Sequence, residues 1–170
     1  VATAKKCPII LCMEQMIEYQ IILADMVIKP NQENIVKNIN SLECYDALAK
    51  LHNAHLLDVR TKAEWDYIGV PDLSQINKKT ICVSWKVYPN MKINERFLDE
   101  IHEHNLSYDD HLFLICRSGQ RSLHAANFLI QHGFNNCTNV EDGFEGIVNK
   151  YNQRSTINGW KFSKLPWHQT

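Results

Sequence analysis

The sequence predicts an α/β protein with a central parallel sheet flanked by helices on both faces. Two observations carry this. From Asn40 onward, short apolar runs of strand length alternate with helical segments, the order that builds parallel sheets covered by helices. The composition also suits one packed domain: of 170 residues, 45% are apolar and 22% charged, which excludes disordered, collagen-like and disulfide-dense classes. At this length a compact chain buries roughly 70% of the surface that its unfolded form exposes.

Residues 1–38 stand apart. They hold apolar clusters, Ile9-Ile10-Leu11 and Ile21-Ile22-Leu23, without a clean period, followed by the polar stretch Pro30-Asn31-Gln32-Glu33-Asn34. Met13, Ile17 and Ile21 fall at helical spacing, so a packed amphipathic helix is expected in this N-terminal extension, whose role the sequence does not assign. The domain itself is set at 39–170. Ser41 is expected to cap a helix over 42–51, and Leu56, Leu57 and Val59 mark a short buried strand.

Thr61-Lys62-Ala63-Glu64 fits a capping box, so a helix starts there and ends near Gly69, ahead of Pro71. Thr80 to Ser84 is β-rich, and Asn94 opens a helix with Phe97, Leu98 and Ile101 on its apolar face. A strand over 111–115 follows, then a helix over 122–132 that Gly133 terminates, then a strand over 137–140. In such sheets ligands sit beyond the carboxyl ends of the strands, which points to the loop after Ile115.

Several function classes are excluded at this stage. With 18 basic against 19 acidic residues, a formal net charge of −1 and no basic run, the footprint of a nucleic-acid binder is missing. Cysteines at 7, 12, 44, 82, 116 and 137 form no Cys-x-x-Cys pair, so neither a structural metal nor a cofactor is expected. The apolar run over 7–13 is short and lacks a small-residue cleavage site, and the stretch to Ile28 carries Glu14, Glu18 and Asp25. A cytoplasmic protein with reduced thiols and no membrane partner is the expectation.

The informative segment is Cys116-Arg117-Ser118-Gly119-Gln120-Arg121, with Ser122 opening the next helix. A loop entering a helix N-terminus turns unpaired amides inward, and these with the helix dipole stabilise an anion. Cys116 is placed to be that anion, its thiolate favoured by the amides and by the guanidinium groups of Arg117 and Arg121. Gly119 permits the tight backbone path. Only five of the 18 basic residues are arginines, yet two of them lie in this loop.

These residues resemble the rhodanese family of sulfurtransferases, in its single-domain bacterial form. Asp58-Val59-Arg60 with Glu64-Trp65 resembles the family's first signature, and residues 116–122 its active-site loop. Asp142-Gly143-Phe144-Glu145-Gly146 is similar to the segment after the fourth strand, and Asn158-Gly159-Trp160 with Leu165-Pro166-Trp167 to the closing one. The resemblance implies a rhodanese-like fold. It implies that Cys116 is the nucleophile and takes a sulfane sulfur from thiosulfate or a related donor as a persulfide. The amides of Arg117, Ser118, Gly119, Gln120, Arg121 and Ser122 would cradle the terminal sulfur. Arg117 and Arg121 would orient the anionic donor, and Asp58 and Arg60 would support the site by ion pairing.

The expected acceptor is cyanide, a thiol or a protein that receives sulfur. The chain departs from the usual family run after Trp65, reading Ile68-Gly69-Val70-Pro71-Asp72-Leu73, and has a long, distinctive stretch from Trp85 to Asn94. Two alternatives stand beside this reading. A cysteine-dependent phosphatase or arsenate reductase of the same fold needs five residues between cysteine and arginine, whereas four separate Cys116 from Arg121. A non-catalytic rhodanese-like binding module is the other, and inactive relatives of that kind lose the nucleophile, which this chain keeps.

Overall fold

The computed structural model describes residues 36–169. In chain order the elements are β1 (Lys37–Ile39), α1 (Ser41–Lys50), β2 (Ala54–Asp58), α2 (Lys62–Ile68), β3 (Val70–Pro71), a 3-10 turn (Ser74–Ile76) and β4 (Thr80–Cys82). Then come β5 (Lys86–Val87), β6 (Lys92–Ile93), α3 (Phe97–Glu103), β7 (His111–Ile115), α4 (Gln120–Gln131), β8 (Asn136–Val140) and β9 (Trp167–His168). Five strands form one sheet in the order β1-β8-β7-β2-β4, every neighbour parallel. Two antiparallel pairs, β3 with β9 and β5 with β6, lie outside it.

The sheet is buried on both faces, as parallel sheets are. Successive strand residues point to opposite sides, so Leu57, Leu112 and Leu114 pack with Phe97 and Ile101 of α3 and with Ala125, Ala126 and Leu129 of α4. Leu56, Phe113 and Ile115 pack the other way, with Cys44 and Leu48 of α1, Phe144 and Trp160. The four leucines named from β2 and β7 are fully buried, and each contributes on the order of 1.5–3 kcal/mol relative to exposure.

The capping box at Thr61 and Glu64 is present, and α2 ends at Gly69. The strand over 111–115 is found as expected. Several boundaries differ, and one is the helix expected over 122–132, which runs Gln120–Gln131 because the Leu123 amide already donates to the Gly119 carbonyl. Asn40, not Ser41, caps α1, because its side chain accepts from the Glu43 amide while the Glu43 carboxylate takes the Asn40 N–H. The helix expected from Asn94 begins at Phe97: Asn94 closes a turn with Phe97 and spends its side chain on the Ser84 carbonyl, Glu100 and the Arg96 amide.

The last difference concerns the sheet's edge. Lys37, Asn38 and Ile39 pair with Thr138, Asn139 and Val140, so the sheet starts two residues ahead of the boundary drawn at 39. The helix anticipated around Met13, Ile17 and Ile21 lies outside the described residues. Among the described residues no helix is long and apolar enough to cross a membrane.

Candidate active site

β7 ends at Ile115 and α4 begins at Gln120, so Cys116 stands at the carboxyl end of a central strand and at the head of a helix. The first amides of a helix have no partner within it. Here the backbone N–H groups of residues 117–122 donate to no described residue. The loop's carbonyls, in contrast, are held: the Phe144 amide donates to the Cys116 oxygen at 2.8 Å, and the Glu145 and Gly146 amides donate to the Arg117 oxygen at 3.0 and 3.1 Å. Fixed carbonyls and amides without a partner among the described residues are the arrangement that an anion cradle requires.

Two glycines make this path possible. Gly119 has φ +84°, and a Cβ there would lie 2.1 Å from the Glu141 carbonyl oxygen. Gly143, φ +64°, approaches the loop so closely that a Cβ would fall 2.6 Å from the Arg117 carbonyl carbon and the Ser118 nitrogen. The segment bearing Gly143 is pinned by Asp142, which accepts from Ser41 Oγ at 2.7 Å and from the Gly159 amide at 3.2 Å.

Cys116 is 1% exposed. Ser122 Oγ lies 3.2 Å from its Sγ, and Ser122 is fully buried. Ser118 is half-buried and Gln120 exposed, and both bring backbone amides to the loop. The other described cysteines are poor nucleophiles: burial pushes the Cys44 thiol well up, and burial pushes Cys82 and Cys137 up to about 12.

The structure does not leave the two loop arginines free. Arg121 forms a fork with Glu64, Nη1 to Oε2 at 2.7 Å and Nη2 to Oε1 at 2.6 Å. Burial alone would raise the Glu64 carboxyl, but the Arg121 hydrogen bond and the Thr61 amide outweigh it and hold the group down at about 2. Burial likewise works against the Arg121 charge, yet Glu64 and the nearby Cys116 favour it and raise its pKa. Arg117 is 47% exposed and bonds through Nε to Glu145 at 3.1 Å.

Asp58 and Arg60 meet as a fully buried pair, with Nε at 2.9 and 3.1 Å from the two carboxylate oxygens and Nη2 at 2.6 Å. Arg60 also donates to the Gly69 carbonyl at 2.7 Å and lies 4.1 Å over the Phe144 ring. Since the Phe144 amide holds the Cys116 carbonyl, the pair braces the loop from behind. Glu64, Glu145, Asn139 and Asp142 are site residues that sequence reasoning did not single out. Glu64 was visible only in the capping box and the first signature, and Asp142 and Glu145 only in the segment after the fourth strand.

A cavity of about 530 Å³ opens beside the loop, lined by Thr61, Glu64, Tyr67, Tyr88, Arg117 and Arg121 among others. A second of about 540 Å³, against Asp72, Lys78 and Cys82, includes no loop residue. Among the described residues there is no group of three or more metal-ligating side chains.

Residues 37–170 match the protein family described as STR4 middle domain. An uncharacterized protein of Rickettsia conorii, RC0915, is 40% identical over 132 residues, which cover 78% of this chain and 97% of that one. Rhodanese-like domain-containing protein 17 of Arabidopsis thaliana is 37% identical over 95 residues, 55% of this chain and 58% of that protein. The crystal structure of Rv0390 from M. tuberculosis superposes with a TM-score of 0.72 at 33% identity, covering 79% of this chain and 98% of that one.

Proposed function

The chain belongs to the rhodanese-like family, within the group described as STR4 middle domain, and from that membership we propose that it is a sulfurtransferase carrying sulfane sulfur on Cys116. The observation that carries this reading is the run of amides at 117–122 that donate to no described residue, directly after a buried cysteine whose own carbonyl is tied back.

In the first half-reaction the Cys116 thiolate attacks the outer sulfur of thiosulfate. A new S–S bond forms, the donor's S–S bond breaks, and sulfite leaves with the electron pair. The product is a persulfide whose outer sulfur lies about 2 Å beyond Sγ and carries the negative charge into the amide cradle. In the second, cyanide or a thiol attacks that outer sulfur, and Cys116 departs as a thiolate ready for another cycle. The two steps are covalent catalysis with ping-pong kinetics.

The arginines act within their ion pairs. Arg117, the more exposed, offers its remaining guanidinium nitrogens to an anionic donor entering the cavity. Arg121 keeps α2 against the head of α4 and adds positive potential near the sulfur. The buried Asp58–Arg60 pair holds the floor.

Intact mass after thiosulfate treatment tests the reading. Gain of one sulfur atom by the wild-type chain and none by Cys116→Ser is expected. An unchanged wild-type mass, or aryl phosphate turnover exceeding sulfur transfer to cyanide, would replace sulfurtransfer with the phosphatase alternative or with a non-catalytic role.

A further inference from the structure

Behind Cys116 the buried side chains form a row of hydrogen-bonding groups. Ser122 Oγ lies 3.2 Å from Cys116 Sγ, 2.7 Å from Asn139 Oδ1 and 3.1 Å from the Gly119 carbonyl oxygen. Asn139, 2% exposed near the end of β8, donates through Nδ2 to Asn38 Oδ1 at 2.8 Å. Asn38 is an exposed residue of β1. A hydroxyl has one hydrogen, so Ser122 serves one of its three acceptors at a time.

In the orientation found, Asn139 turns its oxygen to Ser122 and takes that hydrogen. Cys116 then faces a hydroxyl oxygen, which suits a protonated thiol. Turning both amides end for end exchanges the places of Oδ1 and Nδ2 in each, keeps the same contact distances and reverses the row. Asn38 Nδ2 then donates to Asn139 Oδ1, Asn139 Nδ2 donates to Ser122 Oγ, and Ser122 donates to Cys116 Sγ. That direction suits an anionic sulfur, and within the row these are the two directions in which no acceptor meets an acceptor and no donor meets a donor.

We propose that Asn139, backed by Asn38, is a positioning residue that reverses the row so that Ser122 donates to Cys116 whenever the sulfur carries charge. This occurs twice in each cycle, as thiolate before attack and as leaving group when the acceptor takes the outer sulfur; the proposal rests on the persulfide reading of Cys116. It also gives Asn38, which the sequence reading set outside the domain, a link to the nucleophile through two side chains. The charged groups around the sulfur are Arg121 with Glu64 and Asp58 acting on it, and the Arg117–Glu145 pair, and the test changes none of them.

Asn38→Asp supplies an acceptor only. It holds Asn139 Nδ2 toward residue 38 and Asn139 Oδ1 toward Ser122, and so keeps the hydroxyl hydrogen away from Cys116. The measurement is the rate of iodoacetamide alkylation of Cys116 in the full chain against pH, with circular dichroism reporting the fold. The profile of Asn38→Asp should move to higher pH and run about tenfold slower near neutrality, the effect of one charge-assisted hydrogen bond. Ser122→Ala should show the same displacement, and adding Asn38→Asp to it should change the rate by less than about twofold. Ser122→Thr, which restores a hydroxyl, should restore the response to Asn38→Asp.

An unmoved profile in folded Asn38→Asp overturns the proposal. So does a full effect of Asn38→Asp in the Ser122→Ala background, which would mark the new charge acting through space. Alkylation needs no sulfur donor, so failure of the wild-type chain to gain sulfur from thiosulfate would sink the sulfurtransferase reading separately.

Discussion

Glu64→Gln tests how firmly the loop is tied to α2. The carboxyl of Glu64 moves from an ordinary 4.5 to about 2, chiefly because Arg121 forks onto it and the Thr61 amide donates to it against the opposing effect of burial. Each unit is about 1.4 kcal/mol, so the full displacement is about 3 kcal/mol. The side chain is 21% exposed, and solvent screening brings the expectation to about 2 kcal/mol at pH 7. A carboxyl with a depressed folded value stabilises fully above its unfolded value and loses that contribution as pH falls from about 5 through about 2. Urea unfolding of wild type and Glu64→Gln should therefore differ by about 2 kcal/mol at pH 7, by about half that or less near pH 3, and by almost nothing near pH 2. A gap equal at pH 7 and pH 3, or below about 0.5 kcal/mol at pH 7, would refute the assignment of this pair as a brace.

Two further outcomes follow from the geometry. Iodoacetamide near pH 8 should modify Cys116 and spare Cys44, Cys82 and Cys137, whose thiols burial holds high; peptide mapping showing Cys82 or Cys137 modified at a comparable rate would contradict this. Gly119→Ala and Gly133→Ala both place a side chain at positive φ, about 1–2 kcal/mol each, but only the first meets backbone, at 2.1 Å against 3.5 Å from Tyr108. Gly119→Ala should abolish sulfur transfer while Gly133→Ala keeps it; equal mildness in both would show that the loop is not held against Glu141.

Much of the fold was legible because local signals and burial agreed. Thr61 and Glu64 carry a complete capping box within four residues, and the apolar run from Leu112 to Ile115 announces a strand covered on both faces. Asn40 and Glu43 carry the same capping signature, yet the adjacent Ser41 is an equally good cap by type and its hydroxyl is instead used on Asp142, 101 residues away. β1 was missed because three residues reading Lys-Asn-Ile have no period, and only pairing with β8 makes them a strand. At the site, strand, loop and helix order exposed Cys116 and its amides. The partners of the arginines were hidden, since Arg121 finds Glu64 57 residues away and Arg117 finds Glu145 28 away, distances that only the crossovers of the sheet close.

The cavity beside the loop has two kinds of wall. Glu64, Arg117 and Arg121 belong to α2, the loop and α4, whereas Tyr88 and Met91 come from the turn between β5 and β6, a pair with no hydrogen-bonded place in the five-stranded sheet. The turn thus lies outside the five-stranded sheet, anchored through Trp85 at its base. Insertions, deletions or grafts in that turn can reshape the entrance while the strand register, the buried Asp58–Arg60 pair and the glycine contacts that hold the loop stay as they are. A fold arranged this way can vary the mouth of that cavity by drift in one short hairpin, without disturbing the sheet beneath it.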